Sequence, residues 1–294
     1  MAPSWFVAHL VACGILSSVQ ALQLPNYVGL KTSQNNSILD ITFHNPNSTL
    51  NFWNQDTTNG LTDIVAKLQK DNETKVVVFR SDVPRYWIGH LDLTMPDLTE
   101  TWPSYAELIY NISALPQVTI GAVEGRARGI GNEFLVSLDM RFATKNDTLI
   151  GQPEVGSGLI PGGGGSQFLP GLIGRGLAME YILSAKDISA SEAEKIGWIN
   201  KAFDTSAEMN TYIDGLTSRL RLFPQQALAS AKKSINRRTA PKLEDIQPDA
   251  SAFVKRLEDP VVQALSAKTA AVYQKSSAFE IELDLGNSLL QLYQ

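Results

Sequence analysis

Residues 117–144, "QVTIGAVEGRARGIGNEFLVSLDMRFAT", hold three predicted elements in close succession. The apolar run 117–123 is typical of a buried strand that ends in a turn. The stretch from Gly129 to Leu138 predicts a helix, and residues 139–144 predict the next strand. A strand, a helix and a second strand joined by short connections indicate an α/β fold.

The same alternation extends in both directions. Strands are predicted at 27–32, 37–43, 75–81 and 198–203, and helices at 61–70, 105–115, 174–183 and 189–197. The segment 237–248, "RRTAPKLEDIQP", is linker-like and predicts a boundary before a C-terminal helical arm. Active sites of α/β folds lie where strands end and helices begin. Three stretches fit that position: 86–93, 125–133 and 151–158.

The composition limits the partners of this chain. Its 294 residues carry a net charge of -5, and 44% of them are apolar, enough for a sizeable core. The acidic balance argues against nucleic acid or an anionic membrane surface as the main partner. Cys13 is the single cysteine, so a chain processed after residue 21 would have no disulfide, catalytic thiol or cysteine-based metal site. The two distant histidines His44 and His90 do not support a metal site either.

Residues 1–21 predict a cleaved secretory signal peptide. They contain no Lys, Arg, Asp or Glu, have an apolar run from Trp5 to Leu16, and end in "VQA", which fits a small-x-Ala cleavage site. A buried or membrane-associated helix is the alternative, although the run is short for a transmembrane span. Five Asn-x-Ser/Thr sequons agree with entry into the secretory pathway: Asn35, Asn47, Asn72, Asn111 and Asn146.

Residues 151–167, "GQPEVGSGLIPGGGGSQ", place a single glutamate, Glu154, before a run of glycines. A phosphate-binding P-loop needs Lys-Ser/Thr after its last glycine, but Ser166 and Gln167 follow here. No window of this stretch fits the dinucleotide pattern G-x-G-x-x-G. A glycine-rich surface turn is the plain alternative. Otherwise the glycines indicate a backbone that something approaches closely.

Glu133 lies in the first turn of the helix predicted from Gly129. A glutamate at that position usually complements the helix dipole at the surface. The preceding residues, "GRARGIGNE", also offer backbone N–H groups at a helix N-terminus, where anions bind. A carboxylate beside such donors suits enolate chemistry, because the donors stabilise charge on an oxygen while the carboxylate moves a proton.

From about Ile38 to Phe203 the chain resembles the crotonase superfamily of enoyl-CoA hydratases and isomerases. The resemblance rests on residues 117–144, on "GQPEVGSGLIPGGGGSQFLPGLIGRGLAMEYIL" at 151–183 and on "ISASEAEKIGWINKAF" at 188–203. It implies a spiral of β-β-α units over residues 22–236. It also implies that residues 237–294 form a helical segment that builds a homotrimer or hexamer. The substrate would be an acyl-CoA thioester, with coenzyme A as part of the substrate and no further cofactor.

The resemblance also implies the site residues. Glu133 and Glu154 match the two glutamates that grip a water in the hydratases of the family, whereas its isomerases commonly retain only the one at Glu154. Ile130 and His90 match the two backbone N–H donors of the oxyanion hole. The rest of the predicted substrate-binding set is Leu91, Asp92, Leu93, Gly129 and Gly131. By resemblance, the glycines after Glu154 would let the acyl chain and its pantetheine arm pass close to the backbone.

The chain departs from the family pattern at several positions. Ile130 replaces a glycine, and "GHLDL" contains one inserted residue, so that Leu91 is an alternative first donor. Arg126 and Arg128 stand where small or aromatic residues are usual. They would either pair with acidic groups in the fold or hold a substrate carboxylate or phosphate.

These departures leave alternatives open. A decarboxylase, hydrolase or other lyase on the same fold is one, and a non-catalytic scaffold is another. The compartment is a further open point, since coenzyme A thioesters are intracellular. We expect a secretory or secreted protein, with an intracellular location as the alternative.

Overall fold

The computed structural model describes residues 21–95, 98–275 and 277–294, so the predicted signal peptide lies, apart from its last residue, outside the described residues. The described strands are β1 (Leu30–Asn35), β2 (Ile38–Phe43), β3 (Val76–Ser81), β4 (Tyr86–Ile88), β5 (Val118–Val123), β6 (Arg126–Arg128), β7 (Met140–Thr144), β8 (Leu149–Gly151), β9 (Asp187–Ser189) and β10 (Lys201–Phe203).

The helices are α1 (Gln55–Leu68), α2 (Leu98–Ser113), α3 (Ile130–Ser137), α4 (Gly165–Ile173), α5 (Arg175–Ser184), α6 (Ala190–Ile196), α7 (Ser206–Leu220), α8 (Gln225–Thr239), α9 (Leu243–Leu257), α10 (Pro260–Lys275), α11 (Ala278–Leu283) and α12 (Leu285–Ser288). Two short 3₁₀ helices span Glu154–Ser157 and Leu289–Tyr293. No helix of the described residues is long and apolar enough to cross a membrane.

The larger sheet has the strand order β1-β2-β3-β5-β7-β10. β1 and β2 form an antiparallel hairpin with Leu30 opposite Phe43, and the other neighbouring strands are parallel. All six residues of β5 are buried. Burial of a whole strand is expected when helices or a second layer cover both faces of a parallel sheet.

The smaller sheet has the order β4-β6-β8-β9, with three residues in each strand. Successive turns of the chain place one strand in the larger sheet and the next in the smaller sheet, and then continue into a helix. The units β3-β4-α2 and β5-β6-α3 repeat this order, and β7-β8 begins a third turn. The chain therefore has the spiral of β-β-α units that the family resemblance implies.

An aromatic cluster fixes helix α3 against the larger sheet. The ring of Phe134 lies between 4.9 and 5.7 Å, centroid to centroid, from the rings of Phe43, Trp53, Phe79 and Trp87. Aromatic rings at such separations bury a large apolar area with defined geometry. The cluster therefore holds the first turn of α3, which carries Glu133, in a fixed place.

The linker predicted at 237–248 is wrong. α8 continues to Thr239 and α9 begins at Leu243, so only residues 240–242 lie between them. In α9, residues Ile246, Ala250 and Phe253 are buried in the main core. Their spacing is helical, and this apolar face outweighs the proline and charged residues on which the linker prediction was based.

Candidate active site

A cavity of about 480 Å³ opens beside the N-terminus of α3. Its wall comes from the loop after β4, the start of α3, the 3₁₀ helix at 154–157, and α9 to α12 at the C-terminal end. Of the residues predicted to form the site, those that line this cavity are His90, Leu91, Asp92, Leu93, Gly129, Ile130, Glu133 and Glu154. Gly131 is not among the lining residues.

Glu133 is held by two backbone amides of the glycine-rich segment. Its Oε1 atom accepts hydrogen bonds from Gly163 N–H at 2.7 Å and Gly165 N–H at 3.0 Å. The side chain is buried, and burial raises the pKa of Glu133 to about 7. The two amides oppose this rise, and the nearby carboxylate of Asp249 adds to it. Glu133 can therefore take up or release a proton near neutral pH.

The glycines at 162–165 pack closely against other residues of the protein. The expectation that these glycines make room for a substrate is therefore wrong. A Cβ atom on Gly163 would lie 2.1 Å from Cε1 of Tyr105, and one on Gly165 would lie 2.8 Å from Nε2 of Gln152. Residues 160–165 do not line the cavity. Their lack of side chains lets the backbone come close enough to donate to Glu133.

Glu154 begins a 3₁₀ helix and contacts a buried chain of amide groups. Nε2 of Gln152 lies 3.3 and 3.2 Å from the two carboxylate oxygens of Glu154. The side chain of Asn132 donates to Gln152 Oε1, and Trp198 Nε1 donates to Asn132 Oδ1 at 2.9 Å. This chain fixes the amide of Gln152 with its donor side toward Glu154, because its acceptor oxygen is already used.

The two carboxylates influence each other. Burial in the first place, and the charge of Glu133 in the second, raise the pKa of Glu154 well above its ordinary value. Glu154 is half-buried because it faces the cavity. A carboxylate beside a second carboxylate resists ionisation. Both carboxyls are therefore harder to ionise than an isolated glutamate.

The N-terminus of α3 lies against Glu154. Gly129 has φ +51°, and a Cβ atom there would lie 3.0 Å from Glu154 Oε1 and 3.7 Å from Cβ of His90. The N–H of Ile130 is one of the first amides of the helix, which have no partner within it. The side chain of Ile130 is buried in the main core. Gly131 packs on β4, where a Cβ atom would lie 2.6 Å from Ile88 O.

The loop after β4 contains a bulge of one residue. Gly89 N–H donates to Asn51 O, and the next N–H of this segment to donate to the neighbouring segment is Asp92 N–H, which donates to Trp53 O. A regular parallel ladder would pair residues two apart on both segments, so the strand carries one extra residue here. This is the insertion noted in "GHLDL".

The bulge leaves backbone donors without protein partners. Within the described chain, neither His90 N–H nor Leu91 N–H donates to a protein acceptor. Trp53 N–H donates to His90 O at 2.8 Å. In a planar trans peptide the N–H points opposite to the carbonyl, so Leu91 N–H points away from Trp53.

Arg126 and Arg128 bind protein groups. Arg128 pairs with Asp187 through two contacts of 2.8 and 2.6 Å, and Arg126 pairs with Asp147 at 2.7 Å. Arg126 also donates to Leu283 O, and Arg128 donates to Glu282 O and Leu283 O, at the end of α11. Cations are favourable at a helix C-terminus. The two arginines therefore tie the C-terminal segment to β6.

Three polar residues of this region were not predicted from the sequence: Asn132, Gln152 and Glu282. Gln152 and Asn132 lie inside the stretches that carry the family resemblance, and their buried hydrogen bonds could not be predicted from spacing. Glu282 also lines the cavity, and nothing in its local sequence indicates this.

The site combines groups that suit addition to a conjugated carbonyl compound. Two carboxyls with raised pKa values lie beside backbone N–H groups at a helix N-terminus and at a bulge, and these N–H groups have no protein acceptor among the described residues. Such N–H groups stabilise an oxygen that gains negative charge. Apolar residues cover another part of the cavity wall: Trp102, Leu159, Phe253, Leu257, Leu285 and Leu289.

Comparisons with known proteins agree with this geometry. The family model described as enoyl-CoA hydratase/isomerase matches residues 33–270. The short-chain-enoyl-CoA hydratase of Clostridium acetobutylicum is 31% identical over 203 residues, which cover 67% of this chain and 77% of that protein.

Solved structures show the same relationship. The structure of a Streptomyces avermitilis protein assigned as an enoyl-CoA hydratase has a TM-score of 0.84 and 33% identity, covering 91% of this chain and 98% of that chain. An enoyl-CoA hydratase from Bacillus halodurans shares the fold with a TM-score of 0.73 at 20% identity, over 80% of this chain and 97% of that one. On the family match and these relatives, the chain belongs to the enoyl-CoA hydratase/isomerase family of the crotonase superfamily.

Proposed function

We propose that this enzyme adds water across the double bond of a 2-enoyl-CoA thioester. The observation that supports hydration is the convergence of Glu133 and Glu154 on one cavity, next to the N-terminus of α3. The relatives named as hydratases also favour this reaction over a decarboxylase, a hydrolase or a non-catalytic scaffold.

The proposed reaction uses the proton of the carboxylate pair. In this proposal Glu154, whose pKa is raised by burial and by the charge of Glu133, carries the proton, and Glu133 is the base. Glu133 takes a proton from water as the water oxygen bonds to the β-carbon. The electrons of the double bond move to the thioester oxygen, and Glu154 then gives its proton to the α-carbon. The enzyme returns to its starting state after the pair exchanges the proton.

The N–H of Ile130 and an N–H of the bulge at His90–Leu91 stabilise the enolate oxygen in this proposal. Loss of one donor of this kind typically costs about 100- to 1,000-fold in rate. The bulge makes Leu91 N–H the better candidate for the second donor, because its peptide is oriented by the hydrogen bond from Trp53 to His90 O.

Hydration of crotonyl-CoA tests the proposal through loss of the absorbance of the conjugated thioester. We expect Glu133→Gln and Glu154→Gln each to lower kcat, with Glu107→Gln, an exposed position on α2, as the matched control. A 3-enoyl-CoA offered in parallel identifies an isomerase, since it would gain conjugated absorbance. Wild-type rates in both glutamine variants would contradict the assignment.

We also propose that the protein self-associates as a trimer or a larger assembly. Large apolar side chains are exposed on α5 at Met179 and Leu183 and on α8 at Ile235. The two on α5 are four residues apart and share one face of that helix. A neighbouring subunit would cover them, and light scattering at micromolar concentration measures the assembly.

We retain entry into the secretory pathway as a proposal. The sequon asparagines 35, 47, 72 and 146 are exposed, and Asn111 is half-buried, so the folded surface can carry glycans. Mass spectrometry of the native protein is decisive. An N-terminus near Leu22 with glycan supports secretion, and an intact Met1 or Ala2 terminus without glycan supports an intracellular enzyme.

A further inference from the structure

Glu282 is a buried carboxylate at the cavity that the proposed hydration does not use. It lies on α11, 192 residues from His90 in the sequence, and its side chain is fully buried. Oε1 of Glu282 lies 3.0 Å from Nε2 of His90, and the hydroxyl of Tyr273 donates to the same oxygen. Oε2 has no hydrogen-bond partner among the described residues. A buried carboxylate of this kind needs a cationic partner, and His90 is in position to be that partner.

The contacts of the His90 ring favour its charged form. Nδ1 lies 2.6 Å from Leu91 O, and Nε2 faces Glu282. A carbonyl oxygen and an ionised carboxylate can only accept, so each contact requires an N–H on the ring. Two N–H groups make His90 an imidazolium. Its ring also packs on Phe52, with the centroids 4.2 Å apart.

The electrostatics of the surroundings agree with that charge. Burial lowers the pKa of His90, but the charge of Glu282 and its hydrogen bond outweigh burial and raise the pKa above its ordinary value. Arg128 opposes this rise. Burial raises the pKa of Glu282, yet His90, Tyr273 and Arg128 lower it overall. Burial, and then the charge of Glu282, raise the pKa of Tyr86.

We propose that Glu282 is a positioning residue for the oxyanion site, acting through the His90 imidazolium on the bulged peptide groups. The imidazolium holds Leu91 O, and Trp53 holds His90 O, so the peptides on both sides of Leu91 are fixed. The same imidazolium places a positive charge beside the region where the enolate oxygen would form. The inference rests on the proposed function, because it assigns the bulge to the thioester oxygen.

The C-terminal segment brings this carboxylate to the cavity. Arg126 and Arg128 bind the carbonyls at residues 282 and 283, which fixes the end of α11 against β6. β6 leads directly into Gly129 and the first turn of α3. Arg126 and Arg128 therefore fix α11, whose Glu282 contacts His90 at the bulge, against the strand that leads into the N-terminus of α3.

Binding of acetoacetyl-CoA tests the inference without turnover. The enolate of this thioester absorbs in the near ultraviolet, so its absorbance on binding reports stabilisation of the enolate oxygen. We expect Glu282→Gln to weaken binding of the enolate about 10- to 100-fold, the range for misplacement of a reacting group. Glu280→Gln, an exposed position on the same helix, is the matched control and should bind as the wild type does.

The protonation of His90 provides a second readout. In Glu282→Gln the imidazolium loses its anionic partner, so the His90 resonance in the NMR spectrum should titrate at lower pH than in the wild type. The alkaline limb of the pH profile of kcat should also move to lower pH. Unchanged enolate binding, or an unchanged His90 titration, in a folded Glu282→Gln variant would overturn the inference.

A second variant covers the case in which Glu282→Gln does not fold. His90→Asn keeps a donor that can reach Leu91 O but removes the charge, and it should show the same loss of enolate binding. Binding at the wild-type level would overturn the inference. A wild-type protein that binds the enolate with this dependence on Glu282 but does not hydrate crotonyl-CoA would disprove the proposed reaction and leave the inference intact.

Discussion

Replacement of Glu133 by glutamine should make the protein less active and, at alkaline pH, more stable. The neutral amide is nearly isosteric, and its oxygen can still accept from Gly163 N–H and Gly165 N–H. The wild-type carboxyl has its pKa raised from 4.5 to about 7 by burial. Its ionised form is therefore disfavoured in the folded state, and the amide has no ionised form.

The size and sign of the effect follow from proton binding. Between pH 4.5 and 7 the folded protein keeps the Glu133 proton that the unfolded chain has released, so the free energy of unfolding falls as pH rises. One pKa unit corresponds to about 1.4 kcal/mol, so the rise of the Glu133 pKa from 4.5 to about 7 makes the free energy of unfolding fall by roughly 2 to 3 kcal/mol between pH 5 and pH 8. The glutamine variant lacks this loss. In this variant the charge of Glu133 no longer raises the pKa of Glu154. This also makes the variant more stable than the wild type at alkaline pH.

Urea unfolding at pH 5 and pH 8 measures this difference. Protein concentration must be equal in all samples, since assembly contributes to stability. The free energy of unfolding of Glu133→Gln relative to the wild type should rise by roughly 2 to 3 kcal/mol between pH 5 and pH 8, while kcat for crotonyl-CoA falls. Glu107→Gln serves as the exposed control. Parallel pH dependence in wild type and Glu133→Gln would refute a buried carboxyl that holds its proton near neutral pH.

Further outcomes are expected at other positions. Glu154→Gln should lower kcat by about 100- to 10,000-fold with unchanged circular dichroism. Gly163→Ala places a Cβ atom 2.1 Å from Tyr105 and should lower both Tm and kcat. Gly176→Ala on α5 meets nothing within 4 Å, so it should leave kcat unchanged and should not lower Tm, since alanine is favoured over glycine in a helix. Gln152→Leu removes a hydrogen bond that lowers the pKa of Glu154, so the kcat profile should move to higher pH. It should also cost about 1 to 3 kcal/mol by leaving a buried amide unpaired. A stable monomer in light scattering would contradict the assembly proposal.

The longer elements could be predicted from sequence because their patterns are local. The β-branched run at 75–81 is β3, and the apolar spacing of 61–68 belongs to α1. The helix start near Gly129 follows from glycines before an apolar run, and it places Glu133 in a first turn. The sequence therefore already places Glu133 in the first turn of a helix and Glu154 in a turn after a strand.

The short strands and the C-terminal helices could not be predicted in the same way. β4, β6, β8 and β9 have three residues each, too few to show a period. They form because neighbouring turns of the spiral offer hydrogen-bond partners. The segment at 237–248 is polar enough to suggest a linker, but its residues 243–248 begin α9, which packs against α2 and buries Ile246.

The sequence by itself determined the fold class, the family and the two glutamates of the candidate site. Only the tertiary structure decided what surrounds them. Gly163 and Gly165 donate to Glu133, which depends on packing between segments about 30 residues apart. Glu282 reaches His90 across 192 residues. Contacts at such separations arise when the whole chain packs, because no local pattern of residue types specifies which distant side chain a buried charge will meet.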